Sequence, residues 1–95
     1  MKRTKEDSFI YKKLEKIFKG AANHRRLEIL FLLQKTPGLS VDQIATQTEV
    51  AFVTIASHLQ KLNHSGLISK NYVGRTVIHH LTKRGKDIMT LCRML

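Results

Sequence analysis

SVDQIATQ at residues 40–47, TEV at 48–50, AFVTIASHLQKLNHSG at 51–66 and LISKNYVGRTVIHHL at 67–81 decide how this chain is read. In the first segment Val41, Ile44 and Ala45 fall on one helical face, and the helix stops near Gln47. Ser40 and Gln43 match a capping box, in which each side chain satisfies the other end's backbone donor. After the short turn, Ile55, Leu59 and Leu62 form the buried seam of a helix from about Ala51 to Asn63. Gly66 suits the left-handed position just past its end. Two strands follow, Leu67 to Val73 and Thr76 to Leu81, with Gly74 marking the turn between them. Two short helices about a tight turn, then a hairpin with a basic tip, are a helix-turn-helix followed by a wing.

Working outward, Ile10, Leu14, Ile17 and Ala21 recur at helical spacing in a first helix from near Ser8 to Lys19, which Gly20 ends. Asn23 caps a second helix reaching Lys35. Leu27 and the run Ile29 to Leu33 make it nearly continuously apolar, so it is expected to be buried on most sides as the central core helix. A last helix spans Lys83 to Met94, with Ile88, Leu91 and Leu95 on one stripe. The expected fold is mainly α with a small β-hairpin: a single winged helix-turn-helix domain over residues 1–95, of about five helices and a two-stranded wing.

The formal charge is +10, a balance that suits a polyanion, either nucleic acid or a membrane surface. Residues 1–35 carry ten Lys/Arg against four acids, and residues 66–95 six against one. The middle segment has only Lys61 against Asp42 and Glu49. Electrostatic attraction must therefore come from the flanks and the wing. Membrane insertion is not expected, because Ile29 to Leu33 is far short of a spanning length of roughly 20 residues. Cys92 is the only cysteine, which fits a reducing cytosol. The N-terminal MKRTKEDSFIYKK lacks the apolar run of a signal peptide, so a cytoplasmic location is expected. No nucleophile elbow, phosphate-cradling glycine loop or carboxylate pair is present, so an enzyme is not expected, and no cofactor is implied.

Turning each residue by about 100° places Val53, Ser57, Gln60 and His64 opposite the buried seam of the fourth helix, with Thr54 and Lys61 beside them. Thr54 and Ser57 can donate to phosphates or base edges. His58 sits near the seam edge, either a partly packed ring or a phosphate contact. Phe52 is either a core residue at the helix start or an apolar contact for a thymine methyl. Arg75 at the hairpin tip can enter a narrow minor groove, where negative potential is strongest. Lys70 and Asn71 on the wing can support it through phosphates.

These residues carry a resemblance. The chain resembles winged-helix repressors of the arsenical-resistance-repressor (ArsR) type, whose first signature is matched by Phe18-Lys19-Gly20-Ala21-Ala22-Asn23-His24-Arg25-Arg26-Leu27-Glu28-Ile29-Leu30. The second is matched by Ile44-Ala45 and by Ala51-Phe52-Val53-Thr54-Ile55-Ala56-Ser57-His58-Leu59-Gln60-Lys61-Leu62. The wing signature is met by Gly66-Leu67-Ile68 and Gly74-Arg75. The close, Leu81-Thr82-Lys83-Arg84-Gly85, is shared with the multiple-antibiotic-resistance-regulator (MarR) type. The resemblance implies a homodimer joined through its first and last helices, binding double-stranded operator DNA as a transcriptional repressor. The seam would comprise Ile10, Leu14, Ile17, Ile88, Leu91 and Leu95.

Three departures stand out. Glu49 occupies a turn position where Gly is usual, Ala51 replaces a capping Ser, and Phe52 replaces a polar residue often used for DNA contact. A left-handed Glu49 and a lost cap would each cost about 1 kcal/mol. The resemblance also implies metal sensing in many members, but the thiolate pair of that site is replaced here by Ser40-Val41-Asp42. The last helix offers Asp87 and no His, and His79-His80 point to opposite faces of a strand. No metal site is expected, and no effector is identified. Two rival functions remain at this level: a winged-helix module that binds a protein partner, and a nonspecific architectural DNA binder.

Overall fold

The computed structural model describes residues 4–95. Its elements are α1 (Lys5–Ala21), α2 (His24–Lys35), α3 (Val41–Thr48), α4 (Phe52–His64), β1 (Ile68–Val73), β2 (Thr76–Leu81) and α5 (Lys83–Met94). This is a winged helix-turn-helix.

Helix α1 begins three residues earlier than Ser8, because Thr4 and Asp7 form a capping box in which Asp fills the place of Glu or Gln. Thr4 Oγ1 accepts from Asp7 N at 3.0 Å, and Asp7 Oδ2 accepts from Thr4 N at 3.2 Å. The helix also runs through Gly20 rather than stopping there. A Cβ on Gly20 would coincide with the Ser65 side chain, next to Leu67. This glycine is therefore a packing residue that lets α1 approach the C-terminal end of α4.

Asn23 caps α2 by accepting from the backbone of Arg25 and Arg26. Ile29, Leu30 and Leu33 are buried, but Leu27 and Leu32 only partly, and Phe31 is 48% exposed. The expectation of burial on most sides fails because the other helices cover only one broad face of α2.

The Ser40–Gln43 capping box opens α3. The turn to α4 is strained where the sequence departs from the usual pattern. Glu49 has φ 58 and ψ 33, the left-handed region that disfavours a side chain. Ala51 stands at the N-cap of α4 with no side-chain hydrogen bond. Both costs are carried by the buried contacts of Ile44, Ile55, Leu59 and Leu62.

The wing is an antiparallel hairpin whose register runs from Ile68 opposite Leu81 to Val73 opposite Thr76. Its base is fastened to the α2–α3 loop, since His79 N donates to the Leu39 carbonyl and Gly38 N to the His79 carbonyl, both at 2.9 Å. Thr82 Oγ1 donates to Gly66 O at 2.6 Å and accepts from Gly85 N at 3.1 Å. Gly85 lies so close to the Leu67 carbonyl that no Cβ fits. The start of α5 is thereby set against the start of β1.

Two members of the expected seam, Ile17 and Ile88, are buried in the chain's own core. Ile10, Leu14, Leu91 and Leu95 remain exposed, with Phe9 and Phe18 beside them. Leu14, Phe18 and Leu91 line a groove of about 590 Å³ between α1 and α5, floored by Ile17 and Ile88.

Candidate nucleic-acid interface

Helix α4 presents one buried and one open side. Ile55, Leu59 and Leu62 anchor it, and the helical turn then places Val53, Thr54, Ser57 and Lys61 in solvent. Phe52 is half-exposed at the helix start. A cleft there is lined by Ser40 at the N-cap of α3, Val41 and Asp42 of α3, Phe52, and Arg75, Thr76 and Val77 of the wing. The fold thus brings Phe52 and Arg75 together across more than twenty residues of sequence. It does not bring Lys70 and Asn71 together, because neighbouring strand residues face opposite sides of the hairpin. Asn71 Oδ1 is 3.2 Å from His80 Nδ1, while Lys70 is exposed and lies opposite His79 in the ladder.

His58 is only partly exposed. Burial holds its imidazole below the usual pKa, and the positive charges of Arg26, Lys61, His24 and Arg25 push the same way. Arg26 Nη1 is 3.5 Å from His58 Nδ1, a long contact in which a guanidinium can only donate. The His58 ring thus turns its other nitrogen away from Arg26. His79 is lowered by its burial too, opposed by its Nδ1 contact of 2.9 Å with the Leu39 carbonyl.

Arg26 was not singled out by sequence reasoning. Its Nε donates to the Gly20 carbonyl at 2.7 Å and its Nη2 to that of Lys19 at 3.2 Å, closing the C-terminal end of α1. One guanidinium so ties α1, α2 and α4 together. The available signal was an arginine entering the apolar run of α2. Tyr72, 74% exposed on the wing, was also passed over.

The residues do not fit a metal of the family's thiolate type. Ser40 Oγ is committed to the Gln43 backbone, and Asp87 is paired with Lys83 at 3.1 Å. Among the described residues no three His, Cys, Asp or Glu side chains come together. No helix among them is long and apolar enough to cross a membrane.

Comparison with known proteins agrees with this geometry. Residues 23–70 match the profile of bacterial regulatory proteins of the arsR family. No protein of curated function matches significantly. Among solved structures, reduced HlyU from Vibrio cholerae is 29% identical, with TM-score 0.79 over 96% of this chain and 97% of that one. The homodimeric winged helix-turn-helix DNA-binding domain Mb0332 from Mycobacterium bovis is 26% identical, with TM-score 0.83 over 99% and 84% of the two chains. An ArsR-like transcriptional regulator from Rhodococcus is 29% identical, with TM-score 0.74 over 90% and 78%.

Proposed function

We propose, from the premise that this chain belongs to the arsR family of bacterial regulatory proteins, that it is a cytoplasmic, sequence-specific transcriptional repressor. It binds a two-fold-symmetric operator as a homodimer. The observation that carries this reading is the open face of α4, where Thr54 and Ser57 stand exposed beside a wing tipped by Arg75. Hydroxyls in a major groove select bases, and an arginine in the neighbouring minor groove reads its narrow width. The net charge of +10 supplies the sequence-independent attraction. The α1–α5 groove, open to solvent and lined by Leu14, Ile17, Phe18, Ile88 and Leu91 together with Lys13, Lys83, Arg84 and Asp87, supports the homodimer, as does the homodimeric state of the Mb0332 domain. Regulation does not use the family's thiolate metal site, so one equivalent of zinc is expected to leave operator binding intact.

Selection of bound sequences from a random duplex library tests the reading. A two-fold-symmetric consensus is expected. Arg75→Ala should weaken binding about tenfold across sequences and lower the salt slope by roughly one unit. Ser57→Ala and Thr54→Ala should change base preference, by about 1 kcal/mol or more at the contacted pair. Enrichment of no sequence, with normal salt dependence, would favour the architectural reading instead. The exposed Phe52 and Val53 favour a second reading, in which the start of α4 docks on a protein. Duplex binding that is absent at every salt concentration would support that reading.

A further inference from the structure

We propose that the C-terminal end of α4 carries a second phosphate site, a cationic shelf shared with α1 that holds the DNA backbone at the far end of the reading helix from the wing. The proposal rests on the DNA-binding reading above and explains how a helix with Lys61 as its only Lys or Arg is held on a polyanion.

The shelf is an open cleft of about 450 Å³ whose lining includes Lys16, Lys19, Arg26, Gln60, Lys61 and His64, and no acidic side chain. It exists because Gly20 admits Ser65 at the crossing of α1 and α4. Lys16 and Lys19 lie three apart on α1, and Lys61 and His64 three apart on α4, so each pair shares a helix face. The crossing sets the two pairs side by side. Arg26 spends two of its donors on the Lys19 and Gly20 carbonyls, which fixes the backbone under Lys19 and leaves its charge in the cleft. The neighbouring acid is Glu15, 3.7 Å from Lys19, with both side chains mostly in solvent. Such a pair gives way readily to a phosphate.

The wing tip meets α4 at Phe52, the helix's first residue. Helix α4 runs thirteen residues from Phe52 at that cleft to His64, so its two ends lie about 18 Å apart. The B-DNA major groove is about 12 Å wide with phosphates along both rims. A helix crossing that groove therefore meets one rim at its wing end and the other at the shelf. The two sites act on opposite strands.

The test compares the duplex affinity of the wild type, Lys16→Gln/Lys19→Gln and a control of equal charge change, Lys35→Gln/Lys86→Gln, across a range of salt. Removing one lysine from a phosphate should lower the salt slope by about 0.9, and at about 0.15 M salt reduce affinity about fivefold, or about thirtyfold for the pair. The control should stay within about twofold of the wild type, and the selected base preference should be the same in all three. Ethylation interference should mark phosphates on both rims for the wild type and lose those of one rim in the shelf variant. Equal effects of shelf variant and control would overturn the site while leaving the DNA-binding reading in place. A wild type that binds no duplex would remove that reading and the shelf with it.

Discussion

Replacing Arg26 with Ala should cost about 2–4 kcal/mol of stability. Its Nε bond to the Gly20 carbonyl is part-buried at 2.7 Å, and its Nη2 bond to the Lys19 carbonyl is exposed at 3.2 Å. Both carbonyls sit in the last turn of α1, where helical geometry provides no backbone donor. A hydrogen bond from a charged donor contributes about 1.5–3 kcal/mol, and the exposed one about 0.5–1. In a domain of this size each kcal/mol moves Tm by about 4–8 °C, so a fall of roughly 8–32 °C is expected. A second readout separates this from generic loss of packing. Burial is the main cause of the low His58 pKa and Arg26 the next. Arg26→Ala should therefore raise the His58 pKa, and Arg26→Lys, which keeps the charge, should raise it less. Denaturation at one fixed protein concentration and an NMR titration of the imidazoles measure both. A loss below about 0.5 kcal/mol with an unmoved His58 would refute the reasoning.

Ala51→Ser supplies the missing cap of α4 and should add about 1 kcal/mol, or about 4–8 °C in Tm; an unchanged midpoint would mean the first turn of α4 is already satisfied. Glu49→Gly relieves the left-handed residue but loosens the unfolded chain, so its gain should be smaller. Leu14→Glu or Leu91→Glu should weaken the proposed homodimer by several kcal/mol by burying a charge in its proposed α1–α5 seam; a wild type that sediments as a monomer at micromolar concentration would remove that seam. Burial lowers the pKa of His79, so below about pH 6.5 the unfolded chain binds the proton more readily. Stability should be level above that value and fall as pH drops below it, and His79→Gln should flatten the fall. Equal slopes for the two proteins between pH 5 and 7 would contradict it.

Much of the recognition region was legible in the sequence alone. Ser40 and Gln43 announced the start of α3, the spacing of Ile55, Leu59 and Leu62 set which side of α4 faces out, and Gly74 placed the wing turn. The two departures at Glu49 and Ala51 were legible as costs, and the backbone carries them as read. These signals are local: a cap, a helical period or a turn residue acts within a few positions of itself.

Features that depend on which faces meet were not legible. Gly20 read as a helix end because sequence spacing cannot show Ser65 pressing on it from another helix. Phe31 read as core because the apolar run of α2 does not say how many of its sides are covered. Ile17 and Ile88 joined a stripe with Leu14 and Leu91, yet packing took the first two inside and left the others open. Arg26 was one cation among many until the end of α1 came within its reach. The charges on α1 and α4 became one cleft only at their crossing. Propensity and period fix each element along the chain, but the way elements meet is set by burial of the whole core, and no single segment carries that information.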